Sequence, residues 1–195
     1  MGAIRVLAIN GSPRKGGNTE IMLKEVLNVL AERGIKTEFF QLGGKDVNGC
    51  VACMKCKKKK DGFCQKKNDV LNKCIEKMVR ADGILIGSPV YFTDVTPEVK
   101  ALIDVAGYAG RAGGNIYRRK VGAAVVAVRR AGAIHAFDTI NHFFLINEMI
   151  VPGSSYWNIG IGREKGDVLK DDEGIRTMRT LGDNMAWVLK GLRQA

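Results

Sequence analysis

The sequence predicts an α/β protein built on a doubly wound, five-stranded parallel sheet with helices on both faces. Short β-rich apolar runs alternate with helical patterns along the whole chain, and parallel neighbours need crossovers of that kind. The run Val121–Val128 carries no charged or polar side chain over eight residues, as a strand buried on both faces requires. The first strand opens into Gly11-Ser12-Pro13-Arg14-Lys15-Gly16-Gly17-Asn18-Thr19, a glycine-rich turn that ends at a helix start. At 195 residues, with no internal repeat or linker, we expect one domain, 1–195, with a cysteine-rich loop at 44–67.

Ala3 to Asn10 reads as the first strand. Asn18 or Thr19 caps a helix whose Ile21, Leu23, Val26, Leu27 and Leu30 form one apolar stripe, and Gly34 stops it. Lys36 to Leu42 is the second strand, and the cysteine loop follows. Asn68 or Asp69 caps a helix that runs through Val79. Gly83 to Ser88 is the third strand. Pro97 suits the first turn of a helix containing Val99, Leu102 and Ile103. A glycine-rich stretch, Gly107 to Asn115, leads to the fourth strand, Val121 to Val128. After the loop Arg129 to Ala133, residues 134–149 look helical. Ile150 to Trp157, broken by Pro152-Gly153, gives the fifth strand. Asp171 or Asp172 begins a last helix through Met178, Leu181, Met185, Val188 and Leu192.

Hydrophobic residues at 46% and charged residues at 26% fit an ordinary globular domain. No apolar run approaches the roughly eighteen residues of a membrane span. The N-terminus runs straight into a strand without a signal-peptide pattern, and Val6 denies Gly2 a myristoylation motif. We therefore read the protein as cytoplasmic, with no membrane partner. The net charge is +11, and Lys55, Lys57, Lys58, Lys59, Lys60, Lys66 and Lys67 concentrate much of it in one segment. A single aromatic there, Phe63, and no recognised motif argue against nucleic acid as a partner. The charge fits an acidic partner such as NADPH or an electron-carrier protein, and it would offset an anionic cluster.

The turn after the first strand matches neither the dinucleotide fingerprint nor the P-loop. It does bring the Ser12 and Thr19 hydroxyls, the Asn18 amide and the cations Arg14 and Lys15 to a helix N-terminus, where a phosphate is favoured. The alternative is a plain strand-to-helix turn. After the third strand, Pro89-Val90-Tyr91-Phe92-Thr93 leaves the carboxyl edge with two aromatics, where the ring of a flavin or dinucleotide would lie. The alternative there is core packing. Four of the five cysteines, Cys50, Cys53, Cys56 and Cys64, fall within fifteen residues. Three readings of them stand: a [4Fe–4S] cluster, a zinc site, or free thiols or a disulfide. Cys74 shares a helix face with Leu71 and Met78 and reads as core. His135 and His142 have no ligand-like spacing and read as structural or surface residues.

Gly11-Ser12-Pro13-Arg14 through Asn18-Thr19, then Ser88 to Phe92, then Lys100-Ala101-Leu102-Ile103-Asp104, resemble the flavodoxin-like NADPH-dependent FMN reductase family. The likeness extends to Asp171-Asp172-Glu173-Gly174, and the C-x2-C-x2-C-x7-C spacing resembles the iron–sulfur flavoprotein branch. Val105 stands where the family has Arg after this Asp. The resemblance implies the strand order 2-1-3-4-5. It implies FMN with its phosphate on Ser12, Arg14, Asn18 and Thr19, Lys15 adding charge. Its ring would lie beside Pro89, Val90, Tyr91, Phe92 and Thr93, reached by Arg129 and Gly132 of the next loop. It also implies a homodimer or homotetramer. The function expected is an FMN-dependent oxidoreductase that takes electrons from NAD(P)H and passes them to a flavin, quinone or protein acceptor. Cys50, Cys53, Cys56 and Cys64 would be the cluster ligands. The alternative is a one-electron carrier reduced by a ferredoxin.

Overall fold

Side-chain alternation splits every central strand between two apolar layers. In the computed structural model, which describes residues 2–66 and 68–194, five parallel strands form one sheet in the order β2-β1-β3-β4-β5. They are β1 (Arg5–Asn10), β2 (Lys36–Gln41), β3 (Gly83–Pro89), β4 (Val121–Val128) and β5 (Ile159–Ile161). Leu7 and Ile9 of β1, Ile84 and Ile86 of β3, and Ala124 and Val126 of β4 face one layer. The helices α3 (Asp69–Arg80), α4 (Pro97–Ala112) and α5 (Ala133–Ile146) cover it. Val6, Ala8, Leu85, Ala123 and Val125 face the other, covered by α1 (Asn18–Glu32) and α6 (Asp172–Gln194). This is the expected doubly wound fold, and β4 is buried along its whole length.

The strand reversal falls between β1 and β3, whose carboxyl ends diverge into loops on opposite faces. Gly11 makes the join there: its N–H donates to the Gly87 carbonyl at 2.7 Å, and its carbonyl accepts from the Thr96 hydroxyl at 2.9 Å. A Cβ on Gly11 would lie 2.1 Å from Val99 Cγ2, so no side chain fits.

Some boundaries differ from expectation. The fifth strand is Ile159–Ile161, not 150–157. Ile150 touches β4 through a single bridge to Val121; Pro152 then offers no N–H, and the chain leaves the edge until Asn158 accepts from the Val126 N–H. The α4 helix runs through Gly107 and Gly110 to Ala112, so the glycine-rich stretch is largely helical. The α5 helix stops at Ile146, where Asn147 caps back onto the Phe143 carbonyl and Glu148 turns left-handed at φ 55°. Within the cysteine loop a one-turn helix, α2 (Lys55–Lys59), lies between Met54 and Lys60, both left-handed. A 3₁₀ turn spans Asp167–Lys170. Lys67, counted above with the loop's lysines, lies outside the described residues.

Candidate functional site

The loops at the carboxyl edge enclose a cavity of about 400 Å³. Its lining includes Ser12, Arg14, Asn18 and Thr19 from the β1–α1 turn, and Pro89, Val90 and Tyr91 from the end of β3. Arg129 closes it from β4. The sequence also missed a wall: Gly162 to Lys165, the loop after β5. With the fifth strand placed too early, nothing marked that loop as lying at the carboxyl edge, although Arg163 and Lys165 carry its charge.

Each piece of the turn is held from below. The Asn10 carboxamide accepts from the Ser12 N–H at 3.1 Å and donates to Gln41 Oε1 at 2.8 Å. Gln41 Nε2 donates to the Ser12 carbonyl at 2.8 Å. Asn10 and Gln41 were not singled out from the sequence; a polar amide closing each of two neighbouring strands was the only signal. The Ser12 hydroxyl accepts from the Arg14 N–H at 3.2 Å, which leaves its own proton to donate. The α1 helix begins with Gly17 as N-cap and no side-chain cap, so its first N–H groups remain available beside the buried Thr19. Arg14, Arg129, Arg163 and Lys165 line the cavity against one carboxylate, Glu164, which pairs with Arg163 at 3.3 Å. Hydroxyls, uncapped helix N–H groups and cations in one place fit a phosphate monoester.

The Asn18 amide also makes bonds within the protein. Its Nδ2 donates to the Glu164 carbonyl at 2.9 Å, and its Oδ1 accepts from the Gly166 N–H at 2.9 Å. It thus ties the loop after β5 to the start of α1. Glu20 accepts from the Gly16 N–H at 2.6 Å and pairs with Lys24 at 2.7 Å. Burial alone would raise its carboxyl; the hydrogen bonds from Lys24 and Gly16 and the nearby Lys165 outweigh that and hold it below its ordinary 4.5.

Lys15, Phe92, Thr93 and Gly132 do not line the cavity. Lys15 sits at the tip of the turn closed by the Gly17 N–H on the Arg14 carbonyl, and is exposed. Phe92 and Thr93 form a left-handed turn that carries the Phe92 ring wholly into solvent. Gly132, at φ 85°, is the N-cap of α5 and packs behind Thr93. Arg111 of α4 donates to the Ile146 carbonyl at the end of α5. His135 and His142 are exposed on α5.

A second cavity, about 270 Å³, is lined by Cys50, Cys53, Cys56 and Cys64. Val105, Tyr108 and Ala109 of α4 form its other wall. All four thiols are free. Among the described residues no three Cys, His, Asp or Glu side chains converge as chelators of one ion. Burial pushes the Cys56 thiol up, and the nearby Cys50 and Cys53 add to it. Asn72 pins Cys64 in both directions, accepting from its N–H at 3.0 Å and donating to its carbonyl at 2.8 Å. Asn68 donates to the Asn48 carbonyl at 2.8 Å and so holds the loop's other end. Ala52 and Met54 are left-handed at φ 51° and 57°. Cys74 is fully buried in the α3 layer, where burial drives its thiol far up, and it takes no part.

The model of the family described as NADPH-dependent FMN reductase matches residues 4–164. An iron-sulfur flavoprotein of Methanocaldococcus jannaschii is 41% identical over 198 residues, covering 98% of this chain and all of the relative. A second from that organism is 35% identical, over 97% of this chain and 99% of its own. Among solved structures, a flavone reductase superposes with a TM-score of 0.76 at 20% identity; it matches 98% of this chain, which spans 65% of that one.

Proposed function

The chain belongs to the NADPH-dependent FMN reductase family, in its iron–sulfur flavoprotein branch, and on that premise we propose that it is an oxidoreductase that holds FMN in the carboxyl-edge cavity and draws electrons from NAD(P)H. The observation that carries this is the cavity itself. A phosphate-fitting turn at the uncapped start of α1 opens directly onto the slot beside Pro89, Val90 and Tyr91. The Ser12 and Thr19 hydroxyls and the first N–H groups of α1 hold the phosphate, and Arg14 and Lys165 balance its charge. The Asn18 amide keeps the loop after β5 closed over it. Arg129, which also lines the cavity, would offer a cation to a bound flavin ring. Bound FMN supplies the redox chemistry, so no protein nucleophile or acid–base pair is needed.

The four-cysteine cavity supports a [4Fe–4S] cluster on Cys50, Cys53, Cys56 and Cys64. The four cysteines line one cavity, where each could bind a separate iron of one cluster. Lys55, Lys57, Lys58, Lys59, Lys60 and Lys66 are exposed, and none joins an ion pair among the described residues. They offset the negative charge of such a cluster and favour an acidic protein as one electron partner. We read the chain as one domain that assembles as a homodimer or homotetramer; the exposed Leu145, Ile146, Tyr156 and Trp157 support a contact between copies.

An anaerobic titration of the purified protein tests this. Either pyridine nucleotide should bleach the flavin band at about one equivalent. If neither does so while a reduced ferredoxin does, the protein is a one-electron carrier instead.

A further inference from the structure

The Tyr108 side chain leaves α4 and meets the cysteine loop at two points. Its hydroxyl donates to Met54 Sδ at 2.9 Å, and the Lys57 ammonium stands 6.0 Å from the centre of its ring. A thioether is a weak acceptor, and a cation at that distance is weakly attracted. Their placement gives these contacts weight. Met54 follows Cys53 directly, and Met54 and Lys57 bracket Cys56. Met54 is also the left-handed N-cap of α2, at φ 57°. A bulky residue holds that conformation only where its surroundings fix it. Among the described residues, the Tyr108 hydroxyl makes the one hydrogen bond between α4 and residues 50–60. Nearer Cys64 the loop meets α4 backbone to backbone: a Cβ on Gly113, the C-cap of α4, would lie 2.6 Å from the Gly62 N.

The ring is also a wall of the cavity. Val105, Tyr108 and Ala109 fall three and four residues apart, so one face of α4 lines the four-cysteine cavity. Val105 and Ala109 are buried and Tyr108 is half-buried. Tyr108 is the one aromatic in that lining among the described residues. Cys50 and Cys53 are exposed, so solvent reaches two of the four thiols. The iron affinity and reduction potential of a cluster depend on the groups just outside its ligands and on the access of water.

We propose that Tyr108 is a positioning residue for the iron–sulfur site: its hydroxyl, through Met54, fixes the turn that carries Cys53 and Cys56, and its ring keeps water off the cluster that those cysteines hold. This rests on the cluster reading above. The two parts of the side chain have separable effects. The hydroxyl acts on how firmly the ligands are held. The ring acts on the surroundings of the cluster, because water stabilises its more negative, reduced form and so raises its potential.

The test uses anaerobically purified protein and reads two quantities: the rate at which the reduced protein releases iron to a ferrous chelator, and the midpoint potential of the cluster in a titration followed by electron paramagnetic resonance. Tyr108→Ala removes hydroxyl and ring. It should release iron about tenfold faster, with the potential moved upward. Tyr108→Phe keeps the ring, and Met54→Leu keeps the volume while removing the acceptor. Each should release iron about threefold faster at the wild-type potential. The double variant Tyr108→Phe/Met54→Leu should be no faster than either single one, since all three lose the same bond. FMN content should stay at the wild-type level throughout. Additive effects in the pair overturn the proposal, as does a Tyr108→Phe potential displaced as far as that of Tyr108→Ala. Loss of FMN in step with iron overturns it too, by showing a general loss of fold; should Tyr108→Ala not fold, the pair decides. Wild-type protein without iron overturns both this proposal and the cluster reading, whereas iron-loaded protein indifferent to every Tyr108 variant sinks the proposal alone.

Discussion

Asn18 sits where two walls of the cavity meet, and its amide is committed on both sides to the loop after β5. Asn18→Ala should therefore weaken FMN binding indirectly, by releasing Gly162 to Lys165. Two or three ordinary hydrogen bonds at about 0.5–1.5 kcal/mol each put the loss at about 1–3 kcal/mol in a titration of flavin-stripped protein. Unchanged affinity would show that the loop closes without Asn18. The sequence placed Asn18 at the turn but could not give its bonds to the loop after β5, since those partners lie nearly 150 positions away. The cysteines divide at the same scale. Ser at Cys50, Cys53, Cys56 or Cys64 should lower bound iron in anaerobically purified protein, because a cluster fails when one thiolate goes. Asn72→Ala should do so in part, by freeing the Cys64 backbone. Cys74→Ser should leave iron unchanged and cost about 1–3 kcal/mol of stability, the price of a hydroxyl in an apolar layer. Equal iron loss from Cys74→Ser contradicts the ligand set.

At the level of elements, the first turn of α1 carries a testable pH dependence. Folding lowers the Glu20 carboxyl below its ordinary 4.5. Its contribution is therefore complete above that value and is lost as pH falls through the lower, folded value. Glu20→Gln should cost a small, constant amount of stability at neutral pH, about 0.3–1 kcal/mol for a partly covered carboxylate at a helix N-terminus paired with an exposed lysine. The difference from wild type should close in acid, below 4.5. A difference that persists or grows there would mean that Glu20 acts through packing. Elements with strong periodicity were legible: α1, α3 and α6, and strands β1 to β4, lie where apolar spacing puts them. The fifth strand was not. Ile150 to Trp157 has strand-like composition, yet Pro152 cannot donate to β4, and the pairing passes to the three residues from Ile159. That shift hid a wall of the cavity. The Phe92–Thr93 turn was hidden differently, because Phe-Thr is not a turn signature and only backbone angles reveal it.

On the whole molecule, the charge of +11 is unevenly spread, with clusters at the cofactor cavity and along α2. Electron exchange with an acidic redox protein should therefore slow steeply as salt rises, through the association rate. Charge reversal at Lys57 and Lys58 should flatten that dependence; a salt-independent rate would remove α2 as the docking face. The sheet order and the position of the cavity follow from the fold class, and both were legible. The choice among cluster, zinc and free thiols was not, because spacing along the chain does not fix where sulfurs meet in space. The account depends most on the turn at the start of α1 being a phosphate cradle. Titration of flavin-stripped protein with FMN and with riboflavin tests that directly, since the two ligands differ only in the phosphate. The account predicts one tightly held FMN per chain and riboflavin weaker by at least two charge-assisted hydrogen bonds, about 3 kcal/mol or more. Riboflavin binding as tightly as FMN, or no binding of FMN at all, would contradict it.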